Sequence, residues 1–283
     1  MSTGLSTAFI QLFDAEVKQA YQATAQLNGV CRMRTGVVGS TANFPSIGKG
    51  QATVRTPQTD VVPLNVTTST TAVSLTDYIA PEYSDIFDQQ KVNFDERREL
   101  AQVVGAAVGR RQDQIILDAL LAASAGSTVA NTVRTSGSGA SDLDVAKILA
   151  AKKALDAKNV PPTDRHMIIH ANNLSNLLTD ERAVSADYQQ IKNLVSGSVS
   201  TFLGFEVHMI GDRAEGGLNI DGSSDRTCFA FHKMAVACAV GIMPSTEINY
   251  VPEKTSYLVA AKLSAGASVI DTDGLVDITC REA

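Results

Sequence analysis

Apolar residues recur at three- and four-residue steps through residues 5–28, at Phe9, Leu12, Phe13, Val17, Ala20 and Tyr21. That spacing predicts an amphipathic helix, closed by Asn28-Gly29 as a left-handed stop. Such a stripe has to dock, either on its own domain or on a neighbour. Between residues 36 and 80 the helical period disappears, and Gly, Thr, Ser, Val and Pro dominate. Residues 51–55 and 72–76 alternate in the manner of strands, with a turn-like Thr56-Pro-Gln-Thr-Asp60 between them. This predicts a long two-stranded excursion with a polar tip. An isolated hairpin is marginal in water, so the excursion needs a partner surface.

The clearest helix covers 94–123, with Asn93 or Asp95 as cap and a stripe of Leu100, Val103, Val104, Ala107, Val108, Ile115 and Ala119. At ~1.5 Å per residue it is about 40 Å long. Beyond a Ser136-Gly-Ser-Gly-Ala140 link, a helix is expected from Asp142 to Lys158, stopped by Asn159-Val-Pro-Pro162. Strands are expected at 165–170, 205–210, 227–231, 257–263 and 275–280. Short helices are expected at 172–178 and 232–240. The mixture is α+β, with no internal repeat.

Composition narrows the reading. In 283 residues, 44% are hydrophobic and 19% charged, which suits a globular chain with a sizeable core. Net charge is −6, and no Lys/Arg run exceeds two residues. A broad nucleic-acid grip needs a positive field, so direct DNA binding is not expected. An acidic protein can still enclose DNA. No apolar run reaches the ~18 residues of a membrane span, and the N-terminus lacks the pattern of a signal peptide. Cys31, Cys228, Cys238 and Cys280 form no CxxC or zinc spacing and read as reduced, buried thiols. His166 and His170 are four apart but lie on an expected strand, where that spacing separates them. They read as structural histidines, and no metal is expected.

Motifs for catalysis are missing. No G-x-S-x-G, H-E-x-x-H, Walker A or complete G-x-G-x-x-G occurs. Gly137 and Gly139 read as linker. Asp271-Thr-Asp273-Gly274 looks like the start of a calcium loop, but apolar Leu275 occupies the fifth position. It reads as a turn into a strand. No catalytic residue and no cofactor is predicted.

Charge clusters only on the long helix, at Asp95–Glu99 and at Arg110, Arg111 and Asp113. Arg111 falls within the apolar stripe, either as a snorkelling side chain or as a partly buried ion pair with a neighbouring chain. Gly105 and Gly109 share one helix face, and each weakens a helix by roughly 1 kcal/mol against Ala. That face is expected to lie under another segment, the extended loop of a neighbour or an N-terminal arm. The candidate inter-subunit contacts are Lys49, Arg55, Asp60, Arg97, Arg98, Gly105, Gly109, Arg110 and Arg111.

Three segments carry a family resemblance: Phe44-Pro-Ser-Ile-Gly-Lys-Gly-Gln-Ala52, Asn159-Val-Pro-Pro-Thr-Asp-Arg165, and Leu203-Gly-Phe-Glu-Val207. In that order, between about residues 5 and 280, the chain resembles the major capsid proteins of tailed bacteriophages, the podovirus-like ones in particular. The resemblance implies the Johnson capsid fold. Its expected parts are an N-terminal helix or arm (1–44), an extended β-hairpin loop (45–80), a peripheral domain with the spine helix (81–135), an axial or apical α/β domain (136–250), and C-terminal strands returning to the peripheral domain (251–283).

It implies self-assembly into hexamers and pentamers of an icosahedral shell enclosing double-stranded DNA, without sequence-specific binding. It also implies a separate scaffolding protein, a portal protein, a cement or decoration protein, assembly in the host cytoplasm and final residence in the virion. No membrane partner is implied. Lys–Asn cross-linking is not predicted, because Lys49 has no identifiable partners. An encapsulin-like compartment and a soluble α/β enzyme are the competing readings.

Overall fold

The computed structural model describes residues 22–91, 95–123, 125–179 and 201–282. Twelve strands are assigned among them. They are β1 (Arg32–Thr35), β2 (Thr41–Ile47), β3 (Thr68–Ser74), β4 (Thr76–Asp85), β5 (Ser127–Val129), β6 (Arg165–Ile169), β7 (Thr201–Phe202), β8 (Phe205–Met209), β9 (Asp225–His232), β10 (Val236–Val251), β11 (Ser256–Val269) and β12 (Leu275–Arg281). The helices are α1 (Ile86–Gln89), α2 (Glu96–Ala122), α3 (Val145–Ala157) and α4 (Ala171–Thr179).

Three sheets form. The largest has the order β5-β12-β9-β6-β8-β7, the second β1-β10-β11-β4, and the third is the β2–β3 hairpin. The chain leaves the six-stranded sheet after β9, runs out and back along β10 and β11, and re-enters the six-stranded sheet as β12. Long α2 packs along β11, β4 and β10. Helix α3 lies on β12 and β5.

Local chemistry accounts for most boundaries. Asp144 caps α3, its carboxylate accepting from Lys147 N at 3.0 Å and from Thr135 N. The helix ends where Asn159 turns left-handed (φ 58°) ahead of the two prolines. All five residues of β6 are buried, as expected of a central strand covered on both faces. The β7–β8 hairpin turns on Leu203 and Gly204, both at positive φ, the conformation a two-residue hairpin loop demands. The calcium-like segment is a short 3-10 turn in which the Asp271 carboxylate accepts from Asp273 N. It leads directly into β12, as read.

Several expectations are corrected. Residues 5–21 of the expected N-terminal helix lie outside the described residues, and 22–27 are not helical. The reason is a competing acceptor: Gln26 N and Leu27 N donate to the Asp113 carboxylate. The expected strand at 51–55 is irregular, and the excursion is instead stapled at its root by β2 and β3. The helix expected at 232–240 is a single 3-10 turn followed by a 16-residue strand. Val236-Ala-Cys-Ala-Val240 is a short apolar run that helix and strand both accommodate. Burial between β1 and β11 decides for strand. Of the two C-terminal strands, β11 lies in the layer of α2, paired with β4, and β12 joins the six-stranded sheet. The stripe of α2 is also shifted. Val104 and Val108 are buried as expected, but Ile116, Leu117 and Leu120 carry its C-terminal half.

Polar residues are buried in the same helix: Gln112, Asp113 and Gln114. Three of its side chains hold the loop after β8. Arg110 pairs with Glu215 at 2.9 Å. Asp113 pairs with Arg213 at 2.7 Å, both side chains 1% exposed. Gln114 accepts from Gly217 N at 2.8 Å. Removing one partner of a buried pair strands the other charge and costs about 3–5 kcal/mol. Asp113→Ala is therefore expected to lower the unfolding free energy of the unassembled subunit by that amount, read by urea denaturation. A loss below about 1 kcal/mol, the worth of an exposed pair, is the opposing result.

Elsewhere in the core, burial pushes the Asp277 carboxyl on β12 up to about 6, and its Oδ1 has no hydrogen-bond partner among the described residues. A carboxyl whose folded pKa lies above its unfolded value of about 3.9 withdraws stability as pH rises between the two values. Asp277→Asn is expected to be more stable than the parent at neutral pH. The advantage should fade as pH falls from about 6 to about 4 and be absent below that. Paired thermal-melt series across pH check the sign.

Candidate assembly surface

Every residue from 47 through 70 is exposed. The segment includes large apolar side chains: Val54 is 98% exposed, Val61 87% and Val62 80%. Leu64 and Ile47 join them. The root of the excursion is different. Ala42, Phe44 and Val73 are buried against Ala237 and Ala239 of β10, so the hairpin is anchored to the body while its far part is exposed.

A second surface lies on the outer half of β10. Strand β1 covers that strand only as far as Val240. From Ile242 to Tyr250 every residue is exposed, and no strand pairs with the outer edge there among the described residues. Ile242, Met243, Ile248 and Tyr250 present apolar surface. Pairing with β11 slips twice between Val240 and Ser245, around Pro244, which has no N–H to donate.

The residues singled out from sequence divide between these surfaces and the interior. Arg55 and Asp60 are exposed on the loop. Lys49 reaches Asp273 at 3.3 Å in an exposed pair. Arg98 is exposed. Arg97 lies 4.7 Å over the Tyr257 ring and 3.7 Å from Asp95. Arg111 stands 5.5 Å over Tyr78, a cation–π contact within the chain.

Arg110 is engaged within the chain by Glu215 and Gln22. The glycine face is covered, as expected, but by this same chain. A Cβ on Gly109 would sit 3.3 Å from Ala25 Cβ, and one on Gly105 would sit 3.7 Å from Thr246 Oγ1. An N-terminal segment covers Gly109, and β10 covers Gly105.

No catalytic constellation organises this surface. The four cysteines are free and buried. His170 is buried beside Asp212 and Glu282. The exposed edge of β10 and the loop after β8 escaped the sequence reading. The run Gln112-Asp-Gln114, polar within an apolar helix stripe, was the available signal for the loop. No described helix is long and apolar enough to cross a membrane.

Comparison with known proteins places this architecture. Among solved structures, the head of Helicobacter pylori bacteriophage KHP40 superposes with a TM-score of 0.75 at 11% identity, covering 99% of both chains. The capsid of cyanophage P-SCSP1u gives 0.74 at 16% identity, covering 100% of this chain and 96% of the other. Mycobacterium phage Che8 gives 0.70 at 18% identity, over 95% and 96%. At these identities the likeness is one of fold. No curated protein sequence matches. The family model described as phage capsid protein matches residues 5–282. The match spans nearly the whole chain: the chain belongs to the phage capsid protein family, as a structural subunit.

Proposed function

We propose that the chain is the major capsid subunit that assembles into hexamers and pentamers of an icosahedral shell around double-stranded DNA. The observation that supports this reading is the exposed stretch 47–70, whose valines are exposed in the single subunit. Apolar groups of this size are stabilised by about 25 cal/mol per Å² on burial. An adjacent subunit supplies the cover. The segment is then an extended loop laid across a neighbour, with Lys49, Arg55 and Asp60 setting its register. Arg97 and Arg98, at the start of α2, face the same task.

The layer of α2 and the four-stranded sheet corresponds to a peripheral domain, and the six-stranded sheet with α3 and α4 to an axial domain. The net charge of −6 suits a wall along which DNA slides during packaging without being gripped. Assembly takes place in the host cytoplasm with a separate scaffolding protein. A portal protein and a cement or decoration protein complete the shell.

The test is a deletion confined to the loop. A cut over 53–72 would remove part of β3, which starts at Thr68 and helps bury Phe44. Replacing residues 50–65 with a short Gly/Ser turn spares that root. The expected product is folded by circular dichroism and by an unchanged melt, yet forms no shells in electron micrographs. Shells of normal size from this variant would remove the loop from assembly. An unfolded product would make it part of the core.

A further inference from the structure

Strands β6 and β8 run parallel, with His166 opposite Glu206 and Ile168 opposite His208. Side chains at registered positions and at every second residue share one face. His166, Glu206 and His208 therefore meet on one side of the sheet, brought together by strand pairing from segments 40 residues apart. His166 Nδ1 lies 3.2 Å from His208 Nε2 and 3.3 Å from Glu206 Oε2. All three donor atoms lie within 4.8 Å of one another.

The two separations from His166 are close to those of a coordination shell. Ligands at the ~2.0–2.1 Å bond lengths of zinc, placed tetrahedrally, stand about 3.3–3.4 Å apart. Two imidazoles and one carboxylate form a ligand set that suits a divalent transition metal. The site is half enclosed. His166 is buried against Phe231, ring centroids 6.0 Å apart, while Glu206 is exposed and leaves one side open to a fourth ligand. His166 Nε2 has no partner among the described residues, so Nδ1 is the nitrogen that engages other groups.

We infer that His166, His208 and Glu206 form a binding site for a divalent transition-metal ion such as Zn²⁺, which ties β8 to β6 in the six-stranded sheet. The protonation state agrees with the geometry. Burial holds both histidines below their ordinary pKa, and for His166 the neighbouring His208 acts in the same direction. Neutral imidazole is the form that ligates. Lys233 and Asp164 are the further charges felt by His166, and Asp113 by His208. The competing account is a plain N–H···N hydrogen bond between two neutral rings, with Glu206 a bystander.

The site was illegible in the sequence. His166 was weighed there against His170, its neighbour along one strand, and His208 belongs to another strand.

The experiment titrates ZnCl₂ into the full chain and follows occupancy by competition with a chromogenic chelator, with thermal melts in parallel. The expected result is about one ion per chain, a raised melting temperature and affinity that weakens as pH falls through the histidine range. Affinity should drop at least about tenfold in His208→Gln and in Glu206→Gln. Mg²⁺ should not compete, since it prefers an all-oxygen octahedron. His232→Gln, outside the cluster, should bind as the parent does. Glu206 is exposed, so Glu206→Gln keeps the test decisive if the histidine variant fails to fold. Absence of Zn²⁺ binding by the parent chain would overturn the site in favour of the hydrogen-bonded pair. Equal binding by the parent and Glu206→Gln would equally overturn it, as adsorption elsewhere.

Discussion

The buried ion pair between Asp113 and Arg213 is the interaction on which the arrangement of the subunit depends. Two charges inside a protein are costly to desolvate, and further hydrogen bonds offset part of that cost. Asp113 accepts from the backbone N–H groups of Gln26 and Leu27, while Nε and Nη2 of Arg213 are buried with no hydrogen-bond partner among the described residues. One carboxylate thereby joins the N-terminal segment, the middle of α2 and the loop after β8. Arg110, one turn earlier, makes the same three-way junction through Glu215 and Gln22, and Gln114 adds a second tie from α2 to the loop through Gly217. A purely apolar contact would let these pieces slide past one another. Directional charge-assisted bonds allow one register.

The other fixed element is the long hairpin of β10 and β11. On β10 the inner half is buried and the outer half exposed, whereas β11 is buried or half-buried along its whole length, and both ends of the hairpin feed into the six-stranded sheet. The two sheets are thus covalently continuous through two adjacent crossings. Close packing holds the crossings. A Cβ at Gly274 would meet Ala235 Cβ at 2.7 Å. At Gly266 a Cβ would collide with the Ser74 carbonyl, so only glycine lets the root of the β2–β3 hairpin lie directly on β11. The exposed loop therefore springs from a rigid base, which lets a segment without its own core present side chains in a reproducible place.

How much of this could be read from sequence follows from the range of the interactions. Helix α2, α3, α4 and strands β6, β8, β9 and β12 announce themselves through local periodicity, caps and prolines, and they lie where those signals put them to within a few residues. The exposed loop is legible too, because lack of a core is a compositional property. Failures occur where a distant partner decides. Residues 22–27 give up helix for a carboxylate 87 positions away. Val236-Ala-Cys-Ala-Val240 becomes strand because β1 and β11 flank it. Arg110 looked free on a helix face and is not, because Glu215 arrives from a loop with no motif. The pairing of His166 with His208 exists only once β6 and β8 are registered.

Where assembly contacts can lie follows from what the subunit has already used. Arg110 and Asp113 are consumed internally, and Arg97 and Arg111 rest on tyrosine rings of their own chain, so the helix charges supply few strong inter-subunit bonds. An open strand edge at 242–250 is the obvious alternative, since unpaired backbone groups invite strand addition. Pro244 and the two register slips beside it interrupt that row. Uncontrolled edge-to-edge pairing would be open-ended, whereas a closed shell needs contacts that stop. What remains is side-chain burial by the loop, whose valines stand apart along an irregular backbone and reward one fitted surface rather than any available strand. On the proposed reading, association rests on many modest apolar contacts, repeated by symmetry.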